Sequence, residues 1–391
     1  MLELLWLLLP VAAASGWWAA RRDAQRLPKS THWRRSGLSA DYFRGLNLLL
    51  NEQSDKAVEV FIKLLEVDSE TVELHMTLGS LFRRRGEVDR AIRIHQNLIA
   101  RPTLTREQRN EVLLELGEDY MRAGLFDRAE NLFLELADTG AYAPPALRHL
   151  ARIYEQEKEW NRAVMTLRKL ESLTGKPMGP VMAQYYCELA EQARRNGDVG
   201  AAEQMIKRAF GCDRNCVRAS ILQGDLDAEA GDYRAAIRAY RRVEDQDVDY
   251  LPEIIGPLKE CYARLGNPAG MAEFLKSLLV KHDGTSLVLA YAELLREQKG
   301  DQEAAMFIAD RLRRKSSIRG LNRLIELNLL HAEGSAHEDL LILKELTRKL
   351  LEEKPVYKCY QCGFNGKVLH WQCPTCMSWG SVKPIQGIEG E

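Results

Sequence analysis

"LGSLFRRRGEVDRAIRIHQ", residues 78–96, decides the fold. Leu78-Gly79 and Phe82 lie at helical spacing, Gly86 interrupts, and a second helical pattern resumes with Ala91 and, four positions on, His95. The figure returns in "LGEDYMRAGLFDRAENLF" with Leu116-Gly117, Tyr120, Gly124 and Ala129, and in "GDLDAEAGDYRAAIRAY" with Gly224, Gly231 and Ala236. Aligning the chain on a small residue and a larger one four positions later gives Ala57/Phe61, Ala91/His95, Ala129/Phe133, Ala163/Leu167, Ala202/Ile206, Ala236/Tyr240, Met271/Leu275 and Ala305/Ala309. Met271 and Ala309 break the size rule. Successive first members lie 34, 38, 34, 39, 34, 35 and 34 residues apart.

A period of 34 resembles that of tetratricopeptide repeats. The marks recur at fixed offsets over residues 39–354, about nine helical pairs including a degenerate last one at 318–333 and 336–353. Small residues such as Gly79 and Ala91 let two helices approach closely, and Gly86, Gly124 and Gly231 supply turns where positive φ is cheap. No pair buries its apolar face alone, so stacking makes one continuous core and a superhelix. The longer steps place loops at "RPTLTREQ" (101–108) and "TGKPMGP" (174–180). The fold class is therefore all-α, a repeat superhelix that offers a protein-binding surface. The chain holds no nucleophile elbow, phosphate-binding glycine loop or His-Glu-x-x-His motif, and its eight histidines show no ligand spacing, so it is read as a non-enzyme with no catalytic residues. Arg83-Arg84-Arg85, with Arg90 and Arg93, reads as a solvated helix face and turn.

With 391 residues the chain exceeds what one core of roughly 250–300 residues supports, in keeping with an elongated array. A formal net charge of -1 argues against nucleic acid as a partner. Residues 2–20, "LELLWLLLPVAAASGWWAA", carry a single charge, Glu3. At ~1.5 Å per residue such a stretch spans the hydrocarbon core of a membrane. Trp17 and Trp18 stand where an aromatic belt forms, and Arg21, Arg22, Arg26, Lys29, Arg34 and Arg35 follow against one acid, Asp23. That bias predicts a retained anchor over residues 1–20, a basic linker over 21–38 and the bulk of the chain in the cytoplasm. A cleaved signal peptide would need basic residues before the apolar run, and none precede it.

The chain finishes with "CYQCGFNGKVLHWQCPTCMSWG" (359–380). Two Cys-x-x-Cys pairs ten residues apart make Cys359, Cys362, Cys373 and Cys376 the candidate ligands of one metal ion. Four thiolates favour tetrahedral zinc or a single iron, and both stay open. With Tyr357 before the first pair and Trp371 before the second, residues 355–391 resemble rubredoxin, but the link between the pairs is short for an electron carrier. So small a ribbon folds on its metal. Its aromatics, Tyr357, Tyr360, Phe364, Trp371 and Trp379, exceed what it can hide, and some are expected on the last repeat helix, Glu338–Glu353, where the ribbon would cap the array. Cys212 and Cys216 are read as ordinary thiols rather than a second metal pair.

Anchor, repeats and ribbon together, with "MLELLWLLLPVAAASGW", "RGEVDRAIRIHQ" and "CPTCMSWGSVKPI", resemble the lipopolysaccharide assembly protein B family of Gram-negative bacteria over the whole chain. The resemblance implies a single-pass inner-membrane adaptor facing the cytoplasm. It implies as partners the membrane-bound AAA+ zinc protease FtsH, the lipid A pathway deacetylase LpxC, whose degradation the adaptor promotes, and an opposing inner-membrane regulator of lipopolysaccharide synthesis. Two other readings stand beside it: an assembly platform for lipopolysaccharide synthesis and transport enzymes, and a rubredoxin-type electron carrier. A homo-oligomer is compatible with a repeat array.

Overall fold

The computed structural model describes residues 43–45, 47–48, 53–67, 72–388 and 390–391. The anchor and basic linker expected over residues 1–38 lie outside the described residues. Among those described, no helix is long and apolar enough to cross a membrane. The chain divides into two compact units with the boundary after Leu132.

In the first unit, helices Ser54–Val67, Val72–Arg85, Val88–Ile99 and Arg106–Ala123 follow one another. Ala57, Phe61, Ala91 and His95 are fully buried, as the alignment requires. Gly79 shows why a small residue stands there: a Cβ on it would lie 2.3 Å from the His95 imidazole. That ring cannot step aside freely, because its Nδ1 is hydrogen-bonded to buried Asp119 at 2.6 Å. Asp119 in turn accepts from the Arg83 guanidinium at 2.7 Å, and Arg83 also meets Glu115 at 2.7 Å and Glu118 at 2.9 Å. Arg83 is thus a structural tie between helices, unlike the solvated face expected of its run. Three carboxylates gathered on Arg106–Ala123, the next helix but one, hold it, and their proximity is not visible in a local reading.

The second unit continues with pairs that include Ala143–Gln156 and Trp160–Thr174, Gly179–Arg195 and Val199–Cys212, Val217–Glu229 and Tyr233–Arg241, and Leu251–Arg264 and Pro268–Lys281. Gly224 repeats the close approach of Gly79, its absent Cβ standing 2.5 Å from the Tyr240 ring. The turn obeys one rule in six of the described pairs. The residue five before the small position has positive φ at Gly86, Gly124, Lys158, Gly197, Gly231 and Gly266, and the second helix starts two residues later. Lys158, with φ 59°, is the non-glycine member. The rule shifts at Gly300, whose helix, Asp301–Arg314, starts one residue later instead. Accordingly the buried pair there is Ala304/Ile308, one residue before the expected Ala305/Ala309.

The two loops are shorter than expected. Thr105 caps Arg106–Ala123 through a capping box with Gln108, and Gly175 closes Trp160–Thr174 in the left-handed conformation. The extra residues mostly extend helices. The last pair is Ile318–Leu329 and Ser335–Glu353. The latter keeps Leu341, Ile342, Leu343, Leu346 and Leu350 exposed. A three-stranded antiparallel sheet follows: β1 (Tyr357–Cys359), β2 (Asn365–Gly366) and β3 (Val382–Pro384), in the order β2-β1-β3.

Two substitutions test these constraints by thermal or denaturant unfolding. Gly79→Ala is expected to cost about 1–3 kcal/mol, the range for overpacking a closed contact. Lys158→Gly is expected to stabilise by up to about 1 kcal/mol, because relief of a left-handed L-residue exceeds the entropy that glycine adds to the unfolded chain.

Candidate metal centre and its seat on the repeats

The cysteine knuckles form the same turn twice. In the first, the Gly363 amide donates to the Cys359 carbonyl at 2.9 Å and the Cys359 amide to Phe364 at 2.7 Å. In the second, Met377 donates to Cys373 and Cys373 to Ser378, each at 2.9 Å. Gly363 has φ 79°, the permissive dihedral expected of it, and Met377 takes the corresponding conformation with φ 59°.

The turns bring the Sγ atoms of Cys359, Cys362, Cys373 and Cys376 within 4.8 Å of one another. The Cys359–Cys376 and Cys362–Cys373 sulfurs stand 3.7 and 3.6 Å apart. A metal at about 2.3 Å from four tetrahedral sulfurs would place them about 3.8 Å from each other. The donor set therefore fits zinc, and equally a single iron. The thiols differ in acidity. Burial opposes ionisation of Cys359, but hydrogen bonding with the Ser381 side chain and with backbone amides outweighs it and pulls its pKa down to about 6. At Cys362 the Phe364 amide favours the thiolate, yet burial and the neighbouring thiols push its pKa up to about 12. Hydrogen bonds at Ser378 likewise draw the Cys376 thiol below the usual range, so sulfurs crowded around a point that a cation would share differ in readiness to ionise. Cys212 and Cys216 make no second centre: the Cys216 sulfur faces Cys187 at 3.9 Å.

The ribbon's aromatics do not gather on the last helix, as expected, but on helices far upstream. Trp371 stacks on Tyr250, ring centroids 5.3 Å apart. Trp379 sets its edge against Trp160 and Tyr185 at 6.2 and 5.9 Å. Polar contacts surround this seam. The Trp379 indole N–H donates to Glu155, as does Gln372 at 2.8 Å. The Tyr357 hydroxyl donates to Glu253 at 2.7 Å, and Tyr250 donates to the Val382 carbonyl at 3.1 Å. Lys383 bridges Asp247 and Asp249 at 2.7 and 2.9 Å. Toward the last helix Lys367 reaches the Glu352 carbonyl at 2.8 Å. The tail is tied as well: Glu391 accepts from Ser286 and Arg319.

The physical reason is chemical matching. The helix ending at Glu353 presents aliphatic side chains, whereas Trp160, Tyr185 and Tyr250 present flat rings among carboxylates that suit indole N–H and hydroxyl donors. Burial against the ribbon pushes the carboxyls of Glu155 and Glu253 above the usual range, partly offset by the donors from Trp379 and Tyr357. None of Glu155, Tyr185, Arg218, Tyr250 or Glu253 carries a local sequence signal for this role. The one available clue was the surplus of aromatics in the ribbon.

A family model described as a rubredoxin metal binding domain matches residues 357–384. Tetratricopeptide repeat models match residues 75–109 and 114–177. Lipopolysaccharide assembly protein B of Escherichia coli strain K12 is 41% identical over 391 residues, covering 100% of each chain. The protein of that name from Haemophilus influenzae is 36% identical over 400 aligned residues, again covering 100% of each. Among solved structures, a tetratricopeptide repeat protein from Parabacteroides merdae is 14% identical, with 78% of this chain and 97% of that one covered and a TM-score of 0.32.

Two measurements probe the seat. Removing metal with a chelator is expected to open residues 355–391 to protease while the helical circular dichroism of the repeats persists; a ribbon that stays protected would contradict metal-dependent folding. Glu155→Ala is expected to cost about 1–3 kcal/mol of docking by stranding two donors, whereas Glu155→Gln keeps an acceptor. Because the Glu155 pKa is raised, its contribution is largest below the usual glutamate pKa and declines as pH rises through the raised value. The pH slope of near-ultraviolet unfolding is therefore expected to flatten in Glu155→Gln relative to the parent.

Proposed function

The chain belongs to the lipopolysaccharide assembly protein B family, and from that premise we propose that it is a membrane-anchored adaptor in lipopolysaccharide biosynthesis that presents the deacetylase LpxC to the protease FtsH. The full-length identity to lipopolysaccharide assembly protein B carries this reading. In it, residues 2–20 hold the chain in the inner membrane and residues 39–354 face the cytoplasm. Tethering raises the effective concentration of clients at the membrane, so modest affinities suffice. An inner-membrane regulator of lipopolysaccharide synthesis opposes the adaptor. Peptide-bond cleavage belongs to the protease; this chain supplies proximity and orientation.

In the same reading Cys359, Cys362, Cys373 and Cys376 hold one zinc or iron ion in a structural role. What supports that role is the size of the sheet, whose strands have three, two and three residues and bury little beyond Cys359, Val382 and Pro384. The metal would supply cross-linking of the two knuckles. This chain's own residues then aim Trp371 and Trp379 at the repeats.

Depleting the protein in cells is expected to lengthen the half-life of the deacetylase several-fold, measured by blocking translation and following the enzyme with time. Restoring the chain without residues 2–20 is expected to leave that half-life long. An unchanged half-life on depletion would instead favour an assembly platform.

A further inference from the structure

Where the ribbon meets the repeats, a buried cationic side chain is left with an unused donor. Arg218, on the Val217–Glu229 helix, is 3% exposed. Its Nη2 meets Glu188 and Glu191, each at 2.7 Å, and its Nε meets Glu191 at 3.2 Å. The guanidinium lies 5.8 and 5.9 Å from the rings of Trp371 and Trp379. Its Nη1 has no hydrogen-bond partner, and neither does Oε1 of Gln184. A buried donor and a buried acceptor left unmade each carry a desolvation cost that a ligand could recover.

Two clefts open at this point. One, of about 490 Å³, is lined by Arg218, Trp371, Ile221 and Leu222 together with Arg194 and Glu191. The other, of about 250 Å³, is lined by Gln184, Arg218, Trp371 and Trp379. They share Arg218 and Trp371, so they adjoin. The larger alone falls within the roughly 300–1,000 Å³ of typical ligand sites.

We propose that these clefts together bind an extended peptide segment of a client protein, which places an amide carbonyl on Arg218 Nη1 and an apolar side chain against Ile221 and Trp371. Three features select that occupant. The Arg218 charge is already matched by two carboxylates, so a third would be repelled while a neutral carbonyl is not. Arg194, Arg195 and Arg218 face Glu191, Asp225 and Glu229 around the larger cleft, which gives no net preference for a charged ligand. A peptide chain carries an acceptor and a donor in each unit, and the clefts present one orphan donor and one orphan acceptor. The site exists only when the ribbon is seated, because Trp371 is a wall of both clefts. It rests on the adaptor reading above and names the chemistry by which the adaptor grips a client.

The test uses the full chain, metal-loaded and in detergent, with fluorescein-labelled 12-residue peptides tiling the deacetylase sequence, read by polarisation. At least one peptide is expected to bind, and Arg218→Lys, which keeps the positive charge facing the glutamates, is expected to weaken it about tenfold or more, the factor for one hydrogen bond to a charged donor. Gln184→Met is expected to weaken it by a smaller factor. An acidic exchange, aspartate or glutamate for a neutral residue at the peptide's centre, is expected to weaken it too. Near-ultraviolet circular dichroism verifies that each variant keeps its ribbon seated. Peptide binding unaffected by Arg218→Lys, or strengthened by the acidic exchange, would overturn the proposal. So would intact deacetylase that binds the parent and both variants equally while no tiled peptide binds, and the adaptor reading would then stand. Intact deacetylase that does not bind the parent at all would remove both.

Discussion

Two indoles inserted among the rings and carboxylates of the repeats hold the second unit in its arrangement. Trp379 meets Trp160, Tyr185 and Glu155, and Trp371 meets Tyr250. Aromatic pairs of this kind contribute about 0.5–1.5 kcal/mol each beyond buried area. The indoles can act only if the ribbon aims them, and the ribbon has eight residues in strands to do so. The four clustered sulfurs therefore govern more than their own turns. Folding of the knuckles sets where Trp371 and Trp379 point, and that sets which helices are covered.

This dependence changes what the ribbon is for. A terminal cap would lie on the helix Ser335–Glu353 and leave upstream helices open. Instead the ribbon sets its indoles on Trp160, Tyr185 and Tyr250, bonds as far upstream as Glu155 and forms one wall of a cleft at Arg218, while the apolar face of the last helix stays exposed. A polar, ring-lined seam of this kind is selective because each donor must find its acceptor. Glu155 and Glu253 pay for that selectivity in desolvation, seen as the upward shift of both carboxyls.

Within the repeats, the constraint is backbone proximity. Gly79 and Gly224 stand where a methyl group would meet a ring that is itself held by a carboxylate, His95 by Asp119 and Tyr240 by Asp225. Close packing and side-chain hydrogen bonding thus reinforce one another at the same positions. Lys158 shows that the turn conformation is imposed by the flanking helices and not chosen by the residue, since it adopts a left-handed backbone without being glycine.

The amino-acid sequence by itself determined the helical hairpins, their period, the glycine turns and the four-cysteine cluster. Each of these is written in short-range spacing: small residues at a fixed step, positive-φ positions five residues before them, thiols three positions apart. It misplaced the buried pair by one residue at Ala304/Ile308, because the start of a single helix moved after Gly300. Only the tertiary structure decided that Arg83 is tied down by Glu115, Glu118 and Asp119, that Glu155 and Glu253 receive the ribbon, and that Arg218 ends with an unused donor beside Trp371. Those contacts join residues from about 30 to more than 200 positions apart. No local pattern encodes them; they exist because stacked hairpins bring distant side chains to one place.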